Sequence, residues 1–146
     1  MKLLVAVDLS ESTQIIVKKA EEIAKSLSAK VWILHNVEPD PDVLEFKADP
    51  QTAREALAEN FHREHRQIQK IAKRLRKTGL KTTALLVRGA TVDTILKEAS
   101  KLDVDMIVVG SHGWGAMYQL LLGSVSEGIL HNSRCPILVV PTHRHT

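Results

Sequence analysis

The chain has 146 residues, 44% of them apolar and 25% charged, and a net charge of +3. That balance belongs to an ordinary globular domain and excludes a mainly disordered chain, a collagen-like repeat and a disulfide scaffold. Its one cysteine, Cys135, excludes an intramolecular disulfide and fits a reducing, cytoplasmic setting.

In chain order, Leu3–Val7 is an almost purely apolar run, as a strand buried on both faces requires. It is too short for a signal-peptide core, and no segment approaches the ~20 apolar residues of a membrane span. Residues 12–27 place Ile15, Ile16, Ala20, Ile23, Ala24 and Leu27 at helical spacing. Val31–Val37 reads as a second strand, and the following Glu-Pro-Asp-Pro-Asp as a loop. A long helix is predicted from Gln51 to Thr78, with a stripe of Ala53, Leu57, Phe61, Ile68, Ile71, Ala72 and Leu75, and Gly79 as its stop. Lys81–Val87 is a third strand, Thr91–Lys101 a helix with Ile95, Leu96 and Ala99 inward, and Asp105–Val109 a fourth strand. A Gly-rich loop fills 110–123, Ser124–Asn132 is a short helix, and Pro136–Val140 is a fifth strand.

This alternation predicts one α/β domain over residues 1–141, followed by a short polar tail at 142–146. Its architecture is a single open twisted five-stranded parallel sheet with helices on both faces, Rossmann-like. Ligands of such sheets bind beyond the carboxyl ends of the strands, where strand order reverses. That directs attention to Asp8–Ser12, to His35–Val37 and to the loop after the fourth strand.

Charge is unevenly spread. Residues 38–49 hold five acids against one lysine, whereas 51–81 hold nine Lys or Arg against three Glu. A basic helix attracts polyanions. With two Phe, two Trp and one Tyr in the whole chain, however, no stacking platform accompanies it. We read it as a solvated face and assign neither a nucleic-acid nor a membrane partner.

Gly110, Gly113, Gly115 and Gly123 are four of the chain's seven glycines. Glycines let a ligand approach main-chain N–H groups, and Ser124 then opens a helix whose first amides are unpaired and partially positive. Together these make an anion site. The plainer reading is a connection capped by Ser124, since Ser124-Val-Ser-Glu127 matches a capping box. A cap and a phosphate compete for the same amides, so both readings stand. Asp8, just past a strand, is either an Asx-turn acceptor onto Ser10 or a ligand contact for a hydroxyl or amine.

These residues carry a resemblance. Gly110-x2-Gly113-x9-Gly123-Ser124 resembles the nucleotide-binding signature of the universal stress protein family, in its ATP-binding branch. The likeness extends through the opening LLVAVDLSES, the GSHG loop, the LLLGSVSE segment and the closing CPILVV. It implies a sheet of order 3-2-1-4-5, ATP at the strand carboxyl ends, and a homodimer. Carried over residue by residue, it puts Asp8 near the adenine or ribose, and Ala6 where some relatives have proline. Asn36 or Val37 would line the adenine pocket, Val109 and Gly110 flank the ribose, and Gly113 admit the phosphates. Gly123, Ser124, Val125 and Ser126 would bind phosphate oxygens through amides and hydroxyls. Where many relatives carry Arg or Lys in the GSxG loop, this chain has His112. A triphosphate would then depend on amides, hydroxyls and an accompanying Mg or Mn ion, helped by His112, and ADP or AMP stand beside ATP.

Other constellations are weaker. His62 and His65 lack the HExxH or HxxEH spacing of metal sites and read as surface residues, and no protein-built metal site is assigned. His35, on a buried strand, reads as a hydrogen-bonded core residue. No Ser-His-Asp arrangement or Walker loop is present. The function expected is a nucleotide-dependent regulatory switch acting on an unknown protein partner. The alternatives are a slow ATPase or autophosphorylating enzyme using Ser124 or Ser126, and a nucleotide-free dimeric module. The homodimer would form through Pro136–Val140, an apolar edge strand that needs a cover.

Overall fold

Side-chain alternation along the central strand organises the molecule. In a computed structural model that describes residues 1–37, 50–111 and 124–142, β1 (Lys2–Ala6) sends Leu3 and Val5 to one face and Leu4 and Ala6 to the other. All four are essentially sealed from solvent. Around it lie α1 (Thr13–Leu27), β2 (Lys30–Val37), α2 (Pro50–Lys77), β3 (Thr82–Arg88), α3 (Thr91–Leu102), β4 (Met106–Gly110), α4 (Ser124–Asn132) and β5 (Ile137–Val140). The strands are all parallel, in the order β3-β2-β1-β4-β5. The expected architecture and strand order are both observed.

Two apolar layers result. Ile16, Val17, Ala20 and Ala24 of α1 and Leu75 of α2 pack on Leu3, Val5, Val31, Ile33 and Val108. Ile95 and Ala99 of α3 and Ile129 of α4 pack on Leu4, Ala6, Leu34, Ile107 and Val109. Each fully buried Leu, Ile or Val stabilises the fold by about 1.5–3 kcal/mol relative to exposure, so the central strands dominate the energetics. No described helix is long and apolar enough to cross a membrane.

The structure differs from the sequence reading in detail. β1 runs Lys2–Ala6 and β3 Thr82–Arg88. Ile15 and Leu27 are 38% and 41% exposed. The buried stripe of α1 is centred on Ile16, Ala20 and Ala24, with Thr13 and Val17 completing it; successive 100° steps carry 15 and 27 to its margins. Gly79 ends α2 with φ +96°, as expected. By contrast, α1 and α3 end at Ser28 and Asp103, non-glycine residues at φ 51° and 53° that no turn signal marked.

The larger difference is in α2. Its 28 residues span about 42 Å at 1.5 Å per residue, against roughly 27 Å for the eight-residue β2. The apolar stripe is therefore sealed only at Ile68, Ala72 and Leu75, while Leu57 and Phe61 are half-buried and their neighbours exposed. The helix outruns the sheet at its amino end, beside the strands' carboxyl ends.

α3 and α4 meet closely at Gly128, where a Cβ would lie 2.9 Å from Val92 Cγ2. Gly128→Ala gains about 1 kcal/mol of helix propensity but incurs an overpacking penalty of about 1–3 kcal/mol. A net loss near 1 kcal/mol is expected in urea unfolding. Adding Val92→Ala should remove the clash and turn the Gly128→Ala step into a gain.

Candidate functional site

With every strand parallel, the carboxyl ends share one edge. The chain leaves β1 toward β2 on one side and, later, β4 toward β5 on the other, so the reversal of strand order lies between β1 and β4. Ala6 closes β1 and is 1% exposed, on the α3–α4 face. Asp8 follows, and its Oδ1 accepts a hydrogen bond from the Ser10 amide at 2.9 Å. The Asx-turn reading is thus realised. Leu9, at the crest of this turn, adopts φ 62°, a region bulky residues avoid. Its side chain packs against the α1 core, which holds it there.

At the end of β2 the two face directions hold different devices. His35 is buried on the α1–α2 side, and its Nδ1 lies 2.9 Å from the Val7 carbonyl oxygen. A carbonyl only accepts, so Nδ1 carries the proton, and Nε2 faces Glu64 Oε2 of α2 at 3.4 Å. The core reading of His35 holds. Glu64 was not singled out from the sequence, because its only signal was its place between two unremarkable histidines. His62 and His65 themselves are exposed. On the other face Asn36, 4% exposed, donates from Nδ2 to the Gly89 carbonyl at 2.7 Å. The Gly89 amide in turn donates to the Val37 carbonyl at 3.1 Å. Gly89 has φ +146°, and a Cβ there would stand 2.6 Å from Thr94 Oγ1. The β3–α3 turn is pinned to the end of β2.

Across the reversal point, Val109 is fully buried in the α3–α4 core, and Gly110 closes β4. The buried Ser126 hydroxyl donates a short hydrogen bond to the Gly110 carbonyl, tying the first turn of α4 to the end of β4. Ser124 is exposed at the amino end of α4, and Val125 packs partly against the core. Glu127 Oε1 lies 3.6 Å from His131 Nε2. The structure thus brings Ala6, Asp8, Asn36, Val37, Val109, Gly110 and Ser124–Ser126 to one edge. His112, Gly113 and Gly123 lie outside the described residues. The nearest strand-borne cation on this edge is Arg88, paired in register with Val37, its guanidinium carbon 4.6 Å above the Phe61 ring. Two surface grooves, of about 750 and 380 Å³, lie between α1 and α2, away from the α3–α4 side of the edge.

Fold and edge together define a doubly wound α/β protein with a helix amino terminus at its reversal point. A sequence model of the universal stress protein family matches residues 1–141. The chain belongs to that family. It is similar to a universal stress protein of Thermus aquaticus, 32% identical over 140 residues, 94% of this chain and 96% of the relative. A Methanocaldococcus jannaschii family member is 30% identical over 140 residues, 95% of this chain and 81% of that protein. A second protein of that organism, of known structure, superposes with a TM-score of 0.83 at 27% identity, over 99% of this chain and 97% of that one. Two further members share the fold. One, solved in complex with cAMP, has a TM-score of 0.72 at 24% identity and covers 98% of each chain. The other, from Archaeoglobus fulgidus, was solved with dAMP and has a TM-score of 0.65 at 20% identity over 96% of this chain and 97% of that one.

His35→Leu would strand the Val7 carbonyl, and the expected loss is about 1–3 kcal/mol in urea unfolding. Glu64→Gln offers Nε2 an N–H donor in place of a carboxylate, so it should change stability by less than about 1 kcal/mol.

Proposed function

We propose that the protein binds an adenine nucleotide at the carboxyl edge of β1, β2 and β4 and works as a nucleotide-dependent regulatory switch. The observation that carries this is the tie between Ser126 and Gly110. It sets the amino terminus of α4, with its outward amides, at the reversal point of the sheet, where an anion gains most from them. The two relatives solved with cAMP and dAMP support an adenine nucleotide. ATP is the ligand we favour, with ADP and AMP as alternatives.

In this reading Asp8, Asn36 and Val37 meet the base or ribose, and Val109 and Gly110 flank the sugar. Gly113, Gly123, Ser124, Val125 and Ser126 meet the phosphates, with His112 alongside. Ser126 takes part through its amide, because its hydroxyl already serves Gly110. The same engagement makes that hydroxyl a poor phosphoryl acceptor, so an autophosphorylating enzyme would have to use the exposed Ser124. Among the described residues no group of three or more His, Cys, Asp or Glu is arranged to hold a metal ion. A Mg or Mn ion would accompany the phosphates.

Mass spectrometry of the nucleotide that copurifies, followed by titration calorimetry, tests the reading. Gly123→Val is expected to abolish ATP binding with the circular dichroism spectrum unchanged, since a β-branched side chain fills the space of a phosphate oxygen. Asp8→Ala should weaken binding by about 1–3 kcal/mol. An unaltered affinity in Gly123→Val would remove the phosphates from this loop.

We further propose a homodimer through β5. That strand is at the edge of the sheet, and Ile137, Leu138 and Val139 are only partly buried. Sedimentation should give a dimer at micromolar concentration, and Val139→Lys should shift it to monomer.

A further inference from the structure

We propose that the side-chain oxygen of Asn36 reads the exocyclic amine of the bound base, so that Asn36 separates adenine from 6-oxopurines; this rests on the nucleotide reading above. The orientation of an amide has to come from its partners. Gly89 presents a carbonyl oxygen, which only accepts, so the Asn36 NH2 group must face it, at 2.7 Å. Oδ1 is therefore turned away from Gly89. It is buried and has no hydrogen-bond partner among the described residues. Buried polar atoms are nearly always paired, so a fixed, buried acceptor at this edge calls for a donor that the described residues do not supply.

The surroundings hold that acceptor still. Rotating the amide breaks the bond to Gly89, and the turn carrying Gly89 is fastened to Val37 by its own amide at 3.1 Å. Asn36 lies two residues beyond Leu34, so it shares the α3–α4 face on which Ala6 and Val109 lie. The adenine amine is a donor and satisfies Oδ1. Hypoxanthine and guanine put a carbonyl oxygen at the same ring position, setting two acceptors against each other. Selection thus comes from attraction to one base and repulsion of the other.

The test titrates the full chain with ATP, with the triphosphate of unsubstituted purine riboside, and with inosine triphosphate. These carry an amine, a hydrogen and a carbonyl oxygen at the one position. Affinity should fall in that order, with ATP at least roughly tenfold tighter than inosine triphosphate. Asn36→Leu, or Asn36→Val where β2 tolerates leucine poorly, should bring the three within about twofold. Equal binding of all three by the unaltered protein overturns the proposal, whatever the variants do. A variant that binds ATP and keeps the original ratio also overturns it, and both results leave the nucleotide reading standing. Failure of the unaltered protein to bind any of the three removes both.

Discussion

Two-sided burial of β1 is the constraint from which the rest of the molecule follows. A strand with Leu3 and Val5 on one face and Leu4 and Ala6 on the other, none of them measurably wet, cannot sit at the margin of a sheet. It needs a neighbour on each edge and a helix layer on each face. β2 and β4 supply the neighbours, α1 with α2 one layer, and α3 with α4 the other. Parallel pairing then requires each connection to cross over a face, and right-handed crossovers place successive helices where those layers need them. The carboxyl ends come together as a by-product, and so does the reversal between β1 and β4.

What organises that edge is a set of hydrogen bonds between segments far apart in sequence. His35 to the Val7 carbonyl, Asn36 to Gly89 and Ser126 to Gly110 each fasten one strand end to the next element. All three side chains are buried, and all three spend a donor on a backbone carbonyl of another segment. At the starts of α1 and α3 the fastening does not come from side-chain caps. Indeed, neither Ser12 before α1 nor Ala90 before α3 makes a side-chain capping bond. A ligand at such an edge meets positions already fixed, which reduces the ordering entropy of binding.

The layers were legible in the sequence for a plain reason: β1, β2 and β4 are apolar runs and α1 and α3 have helical period, and both signals are local. Gly79 likewise announced the end of α2. The site was legible only in outline. Gly110 and Ser124–Ser126 stood out through their neighbours in sequence, whereas the bonds that build the edge join residues 16, 28 and 53 positions apart. Periodicity carries no information about those. Glu64 illustrates the point, because only the height of α2 above β2 decides that it meets His35. The apolar stripe on the same helix was read as continuous, since spacing alone cannot say where the sheet beneath it stops.

That overhang has a consequence for the order in which the molecule opens. From Phe61 onward α2 is stapled to β2 and β3 through the Phe61–Arg88 stack, the Glu64–His35 contact and the sealed Ile68, Ala72 and Leu75. Among the described side chains of its first ten residues only Leu57 is partly buried, and isolated helical turns are marginal in water. The described sealed contacts of this one rod thus lie in its carboxyl half. Amide protection should climb steeply across Phe61, with the amino half exchanging by local fraying and the carboxyl half only with the sheet.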